Sequence, residues 1–100
     1  MIRGTTPTHT FNLPIATKTI KAARITYTQK DSIVLEKTEK DVIMQGTAIK
    51  VTLTQEETLA FDENTPVKWQ VKVLTYDGAV LVSKIKMIPV TEILNEEVLK

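Results

Sequence analysis

More than a third of this chain is β-branched: 16 Thr, 10 Val and 10 Ile among 100 residues. Two heavy atoms on Cβ stiffen χ1, which costs helix and suits a pleated strand, so the chain is expected to be all-β. With 42% apolar and 25% charged residues, its composition lies far from the low-hydrophobicity, high-charge range of disordered chains. A chain of this length holds one core, so residues 1–100 read as a single domain.

Periodicity places the strands. In 48–54, Ile49, Val51 and Leu53 alternate with Lys50, Thr52 and Thr54, so one face is buried and one is wet. Segment 66–75 likewise sets Val67, Trp69, Val71 and Val73 against Lys68, Gln70 and Lys72. In 8–13, His9, Phe11 and Leu13 share a face, and in 20–28 Ala23, Ile25 and Tyr27 do. Asp77-Gly78 between two apolar runs predicts a two-residue type I′ hairpin joining 67–75 to 79–88. Turns at Gln29–Ser32 and Gln45–Thr47 make the middle of the chain, through 33–38 and 41–45, read as a meander.

One stretch departs from strand character. Thr54-Gln55-Glu56-Glu57 fits a capping box, with the Thr hydroxyl accepting from the N3 amide and Glu57 reaching back to the Thr amide. A single helical turn over 55–60 should follow, with Leu59 and Phe61 pointing inward. A one-turn helix between the fifth and sixth of about seven antiparallel strands, with turn signals roughly every 8 to 12 residues, matches an immunoglobulin-like β-sandwich. The chain has no Cys pair, and its Trp is not in the third strand, so it is not of the antibody type.

Little in the sequence points to catalysis. Without Cys there is no disulfide, thiolate nucleophile or Cys-based metal site. His9 is the only histidine, has no nearby acid in sequence, and reads as a strand-edge or packing residue. Glu56, Glu57, Asp62 and Glu63 lack the alternating ligands and central Gly of a calcium loop and read as a solvated face. Trp69 shares its face with three valines and reads as core. Three glycines supply no phosphate loop, and no Ser-His-Asp set is gathered by strand spacing. No catalytic residue, cofactor or metal is expected. A net charge of +1, with Lys interleaved among Glu and Asp, argues against nucleic acid. No apolar run approaches the roughly 18 residues of a membrane span, and the first residues lack a signal-peptide core, so synthesis in the cytoplasm is expected.

The informative anomaly is surplus apolar character. Ile33–Leu35, Val42–Met44, Val80–Val82 and Ile85–Ile88 are apolar on both faces, whereas a two-layer sandwich buries one face per sheet. Either residues 91–100 of the C-terminal tail 90–100 fold back and cover some of the surplus with Ile93, Leu94, Val98 and Leu99, or another chain covers it, or both do. Both remain open at this level. Residues 1–7, broken by Gly4 and Pro7, read as an extended N-terminal arm. Leu81, Ser83, Ile85 and Met87 of the last strand, with Ile93 and Leu94 of the tail, are the candidate partner-binding residues.

The runs Thr5–Phe11, Ile25–Gln29, Val51–Thr58 and Val71–Thr75, with the Asp77-Gly78 turn, resemble small proteins of about this length encoded in bacteriophages and prophages of Gram-positive gut bacteria. In layout the chain also resembles the N-terminal immunoglobulin-like domain of siphophage upper baseplate proteins. The resemblance implies a non-enzymatic virion structural protein, either a tail or baseplate adaptor or a capsid decoration subunit. It would be made in the bacterial host cytoplasm and carried in the virion. The implied partners are other phage structural proteins and further copies of the chain, not nucleic acid or membrane. The alternative is a soluble module that recognises a carbohydrate or a host surface through its loops, for which Tyr76 is the one well-placed aromatic.

Overall fold

The computed structural model describes all 100 residues, Met1–Lys100. Its strands are β1 (Thr8–Asn12), β2 (Ile20–Gln29), β3 (Ser32–Thr38), β4 (Ile43–Gln45), β5 (Ala48–Thr52), β6 (Val67–Thr75), β7 (Val80–Val82) and β8 (Lys86–Ile88). The one α-helix, α1 (Gln55–Leu59), stands between β5 and β6, and a 3-10 turn at Thr17–Thr19 leads into β2. The expected all-β class is borne out as two antiparallel sheets, one ordered β1-β5-β4 and the other β3-β2-β6-β7, with β8 also paired to β6.

The alternation predicted from the sequence is the alternation that is buried. Ile49, Val51 and Leu53 line the inner face of one sheet, and Ala23, Ile25, Tyr27, Val67, Trp69, Val71 and Val73 line the other. Because side chains alternate with a period of two, pairing Tyr27 with Trp69 and Ile25 with Val71 puts the inward-facing apolar side chains of both strands into the core together, with Leu74 left on the outer face. Removing one of the fully buried aliphatics, such as Ile25 or Leu53, should cost about 2–5 kcal/mol. Two buried polar side chains tie loops to this frame. Gln29 donates from Nε2 to the carbonyls of Asp62 and Thr65 and accepts from the Asp62 amide, while the Thr58 hydroxyl donates to Thr5 and Gln55.

The capping box forms as read. Thr54 Oγ1 accepts from the Glu57 amide at 3.2 Å, and Glu57 Oε1 accepts from the Thr54 amide at 2.8 Å.

Four details differ from expectation. The middle of the chain is not a meander: β2–β3 and β4–β5 are hairpins in different sheets, and the chain crosses the sandwich between them. The segment 79–88 is two short strands. At the break, Ser83 Oγ accepts from the Val71 amide at 2.9 Å, so a hydroxyl takes the place of a ladder carbonyl, and the strand resumes only at Lys86. The Asp77-Gly78 turn is a three-residue loop, since Thr75 and Ala79 pair across it and only Gly78, at φ 89°, is left-handed. A type I turn followed by a left-handed residue is the usual three-residue hairpin, and it adds one residue to the expected register. The type I′ φ pattern falls instead at Lys30 and Asp31, with φ 50° and 64°, between the paired Gln29 and Ser32.

Residues 1–7 do not project as an arm. The N-terminal ammonium donates to the Pro89 carbonyl at 2.6 Å, Ile2 bridges Thr91 in parallel, and Thr91 N–H donates back to Met1.

Holding Lys30 left-handed costs about 1–2 kcal/mol, which asparagine reduces, and glycine removes the smaller cost at Asp31, part of it offset by the greater freedom of an unfolded glycine. The double substitution Lys30→Asn and Asp31→Gly is therefore expected to stabilise the fold by about 1 kcal/mol, raising Tm by roughly 4–8 °C. Thermal unfolding followed by circular dichroism checks this, and an unchanged or lower Tm would contradict the turn assignment.

Candidate interaction surface

The strongest surface feature is the β7–β8 edge. Both strands pair only with β6, so their outer hydrogen-bonding edge is free. Along it Val80, Val82, Ile85 and Met87 are exposed, Ile85 and Met87 to 60% and 62%. Val82 and Met87 stand across from Lys72 and Lys68 on the outer face, whereas Leu81 stands across from Val73 and leans toward the sandwich interior. An exposed apolar edge is a template for another strand unless something covers it, and here two short strands present one.

Beside that edge the sandwich is open. A groove of about 480 Å³ runs between Leu13, Pro14 and Ile15 on one side and Val71, Val73 and Leu81 on the other. It adjoins a second hollow of about 800 Å³ bordered by Ile15, Leu81, Ala79 and Tyr76. Tyr76 is 71% exposed at the rim of this second hollow.

The six partner-binding candidates separate into three groups. Leu81, Ile85 and Met87 lie together on the free edge. Ser83 is half-buried, its hydroxyl accepting from Val71 and its carbonyl accepting from Gln70 Nε2, so it shapes the edge from within. Ile93 and Leu94 lie in the tail, away from the edge. A Cβ built on Gly4 would meet Ile93 Cδ1 at 3.2 Å, whereas Leu94 is 97% exposed.

The tail does not cover the apolar surplus. It runs beside the N-terminal residues and α1, where the Arg3 guanidinium pairs with Glu96, donates to the Leu59 carbonyl at 3.0 Å and lies 3.8 Å from Glu63. Gln55 then exchanges two hydrogen bonds with the Leu99 backbone, at 2.8 and 2.9 Å. Of the four tail residues expected to give cover, Ile93 and Val98 are half-buried, and Leu94 and Leu99 face solvent. Ile33, Ile43, Val80, Val82, Ile85 and Met87 stay exposed.

Two electrostatic features carry no motif. From Pro66 to Val90 the chain carries Lys68, Lys72, Lys84 and Lys86 against one acid, Asp77, at the hairpin tip. Tail residues 91–100 carry Glu92, Glu96 and Glu97 against Lys100. A charge count by element, in place of a search for catalytic spacing, would have found both.

One titratable pair, His9 and Tyr27, lies against the aromatic core. His9 Nδ1 shares a 2.8 Å hydrogen bond with the Tyr27 hydroxyl, and its ring lies 5.0 Å from that of Trp69. Burial, helped by the N-terminal charge, lowers the His9 pKa, while burial and the nearby Glu57 carboxylate push the Tyr27 phenol up. No three His, Asp or Glu side chains converge as a metal site.

No family model, curated protein or solved structure matches the chain.

Glu57 sets an acid limit on this scaffold. Partial burial raises its pKa, but the 2.5 Å pair with Lys37 and the Thr54 amide outweigh burial and bring it below the ordinary 4.5. A lowered carboxyl contributes stability that is complete above 4.5 and is lost as pH falls through the lower folded value; His9, lowered from 6.5, acts in the same direction at higher pH. Stability should therefore decline from about pH 6.5 downward and more steeply below 4.5. Glu57→Gln keeps the cap acceptor but loses the ion pair, so about 0.5–1 kcal/mol should be lost at pH 7 and less at pH 3. Urea unfolding at the two pH values measures it, and an equal loss at both would discount the ion pair.

Proposed function

We propose that this chain is a non-enzymatic structural subunit of a bacteriophage virion with an immunoglobulin-like sandwich fold, working as a tail or baseplate adaptor or a capsid decoration protein. It acts through contacts with other phage structural proteins and with its own copies, and is made in the host cytoplasm before entering the particle. The observation that carries this reading is the free apolar β7–β8 edge on a rigid two-sheet frame. A repeated assembly unit needs such a scaffold and such an edge, and homomeric contacts are the usual way of covering it.

The strand order supports the immunoglobulin-like part. With β1 matched to strand B of that fold, β1-β5-β4 corresponds to B-E-D and β3-β2-β6-β7 to C′-C-F-G, and α1 occupies the connection from E to F. The parallel bridge from Ile2 to Thr91 brings the N-terminal segment against the chain just beyond β8, where a first strand would run.

A second reading is favoured by Tyr76. An exposed aromatic at the rim of an open hollow is the kind of platform on which a sugar ring stacks, which would make the chain a carbohydrate- or host-surface-binding module.

Mass spectrometry of particles purified from the strain that encodes the chain, after prophage induction, tests the first reading. The chain should copurify at many copies per particle, and its absence from purified particles would remove the virion assignment. Tyr76→Ala separates the second reading from the first. Binding to a glycan array should collapse if the hollow takes sugar, whereas incorporation into particles should be unaffected if the edge does the work.

A further inference from the structure

We propose that the C-terminal tail, residues 92–100, is an exchange segment that adds to the free β7–β8 edge of a second copy of this chain. The inference deepens the assembly reading above and rests on the edge being an interface; it names the occupant of that edge.

Charge complementarity carries the proposal. The edge and the strand behind it present Lys68, Lys72, Lys84 and Lys86, with Asp77 the only acid between Pro66 and Val90, whereas the tail presents Glu92, Glu96 and Glu97 with Lys100 the only base. The two segments are therefore of opposite sign within one chain. The same pattern disfavours the simplest alternative, pairing of one β7–β8 edge with another, because Lys84 and Lys86 would then meet lysines of the partner. An acidic strand meets no such repulsion.

Apolar groups on both sides match this arrangement. The edge exposes Val82, Ile85 and Met87, and the tail exposes Leu94 to 97% and Leu99 to 69% while its own body leaves them uncovered. Within its own chain the tail is held mainly by polar contacts, from Arg3 to Glu96 and from Gln55 to the Leu99 backbone. Exposed polar contacts of this kind are weak and exchange readily with water. Residues 92–100 form no helix or strand, and apart from Leu99, held by Gln55, and the Glu97 amide, held by Asn95, their backbone groups are available to a sheet edge. Nine residues extended reach about 30 Å, enough to run along a neighbour's edge from the anchored Thr91.

Added beside β7, the tail would gain main-chain hydrogen bonds from the edge; because side chains alternate, Leu94 would lie on one face with Glu92 and Glu96 and Leu99 on the other with Glu97, so that the outer face with Lys68 and Lys72 and the groove side with Lys84 and Lys86 each receive a leucine and a glutamate. Reciprocal exchange closes a two-fold dimer, and one-way exchange builds a ring where the rotation closes and an open filament where it does not.

Light scattering across a concentration series, with circular dichroism to confirm folding, reads the outcome on the full chain and on two charge-reversal variants. These are Lys84→Glu with Lys86→Glu, and Glu92→Lys with Glu97→Lys, all at exposed positions outside the core and outside the chain's own ion pairs. The unmodified chain should exceed its 11.2 kDa monomer mass as concentration rises. Each reversal should weaken association about tenfold or more, and an equimolar mixture of the two variants should restore it, because every tail then meets an edge of opposite sign. A monomer at every concentration overturns the proposal, as does association that survives reversal of the tail glutamates or is not restored by mixing. These outcomes are independent of particle content. A monomeric chain found in purified particles would sink the exchange and keep the virion reading, and tail-dependent association of a chain absent from particles would do the opposite.

Discussion

Everything else in this protein hangs on the antiparallel ladder between β2 and β6. These are the longest strands, ten and nine residues, and their register from Ile20–Thr75 to Thr28–Lys68 puts Ala23, Ile25, Tyr27, Trp69, Val71 and Val73 on one inner face. Each outer strand of that sheet is positioned by one of the two: β3 by β2, β7 and β8 by β6. A register slip of one residue would turn this whole set to solvent and put Arg24, Lys68 and Lys72 into the core, so the hydrophobic pattern excludes every odd-numbered slip. The aromatic group reinforces it, with Tyr27 and Trp69 directly paired, Phe61 5.9 Å from Tyr27 and Phe11 4.0 Å from Trp69.

The same ladder explains why surface is left over. Only 18 residues are buried, and the radius of gyration, 14.3 Å, exceeds the roughly 13 Å of a compact chain this long. The accessible surface, 6336 Å², also exceeds the roughly 5,700 Å² expected for a monomer of this mass. The excess arises because the second sheet is three short strands, too narrow to cover a four-strand layer to its β7 margin. The apolar edge and the neighbouring groove are two aspects of one mismatch in sheet width. An added strand is the element that would correct it.

What could be read from the chain in advance was whatever repeats locally. The period-two runs at 48–54 and 66–75, the Thr54–Glu57 capping box and the turn at Gly46 are each complete within a few residues, and the structure keeps all of them. What could not be read depends on partners far along the chain. The break at Ser83 needs the Val71 amide, the tail's course needs Arg3 to find Glu96 and Gln55 to find Leu99, and the crossing after β3 needs β5 to pair with β1. The Asp-Gly turn lies between these cases. Its residues announce a hairpin, but the loop length follows from which residues pair across it, Thr75 with Ala79, and that is set by β6 facing β7. Of the candidate contact residues, Leu81, Ile85 and Met87 were legible as apolar positions in a segment apolar on both faces, more than one buried face can use. Ser83 was not legible as a shaping residue, because a hydroxyl in place of a ladder carbonyl leaves no mark on the hydropathy pattern.

The composition of the edge gives it a direction. An unprotected apolar strand would aggregate with its like, and the common protections are lysines, a break in the strand, or a cover. This edge has the first two, with Lys84 and Lys86 along it and Ser83 interrupting it, yet Val82, Ile85 and Met87 remain exposed. Lysines that repel an identical edge do not repel an acidic one, so the protection is selective. It excludes β7 against β7 and favours a segment carrying glutamates among leucines. The only segment of this chain that answers that description is its own C-terminal tail, which the Arg3 and Gln55 contacts hold beside α1, away from the edge of its own sandwich.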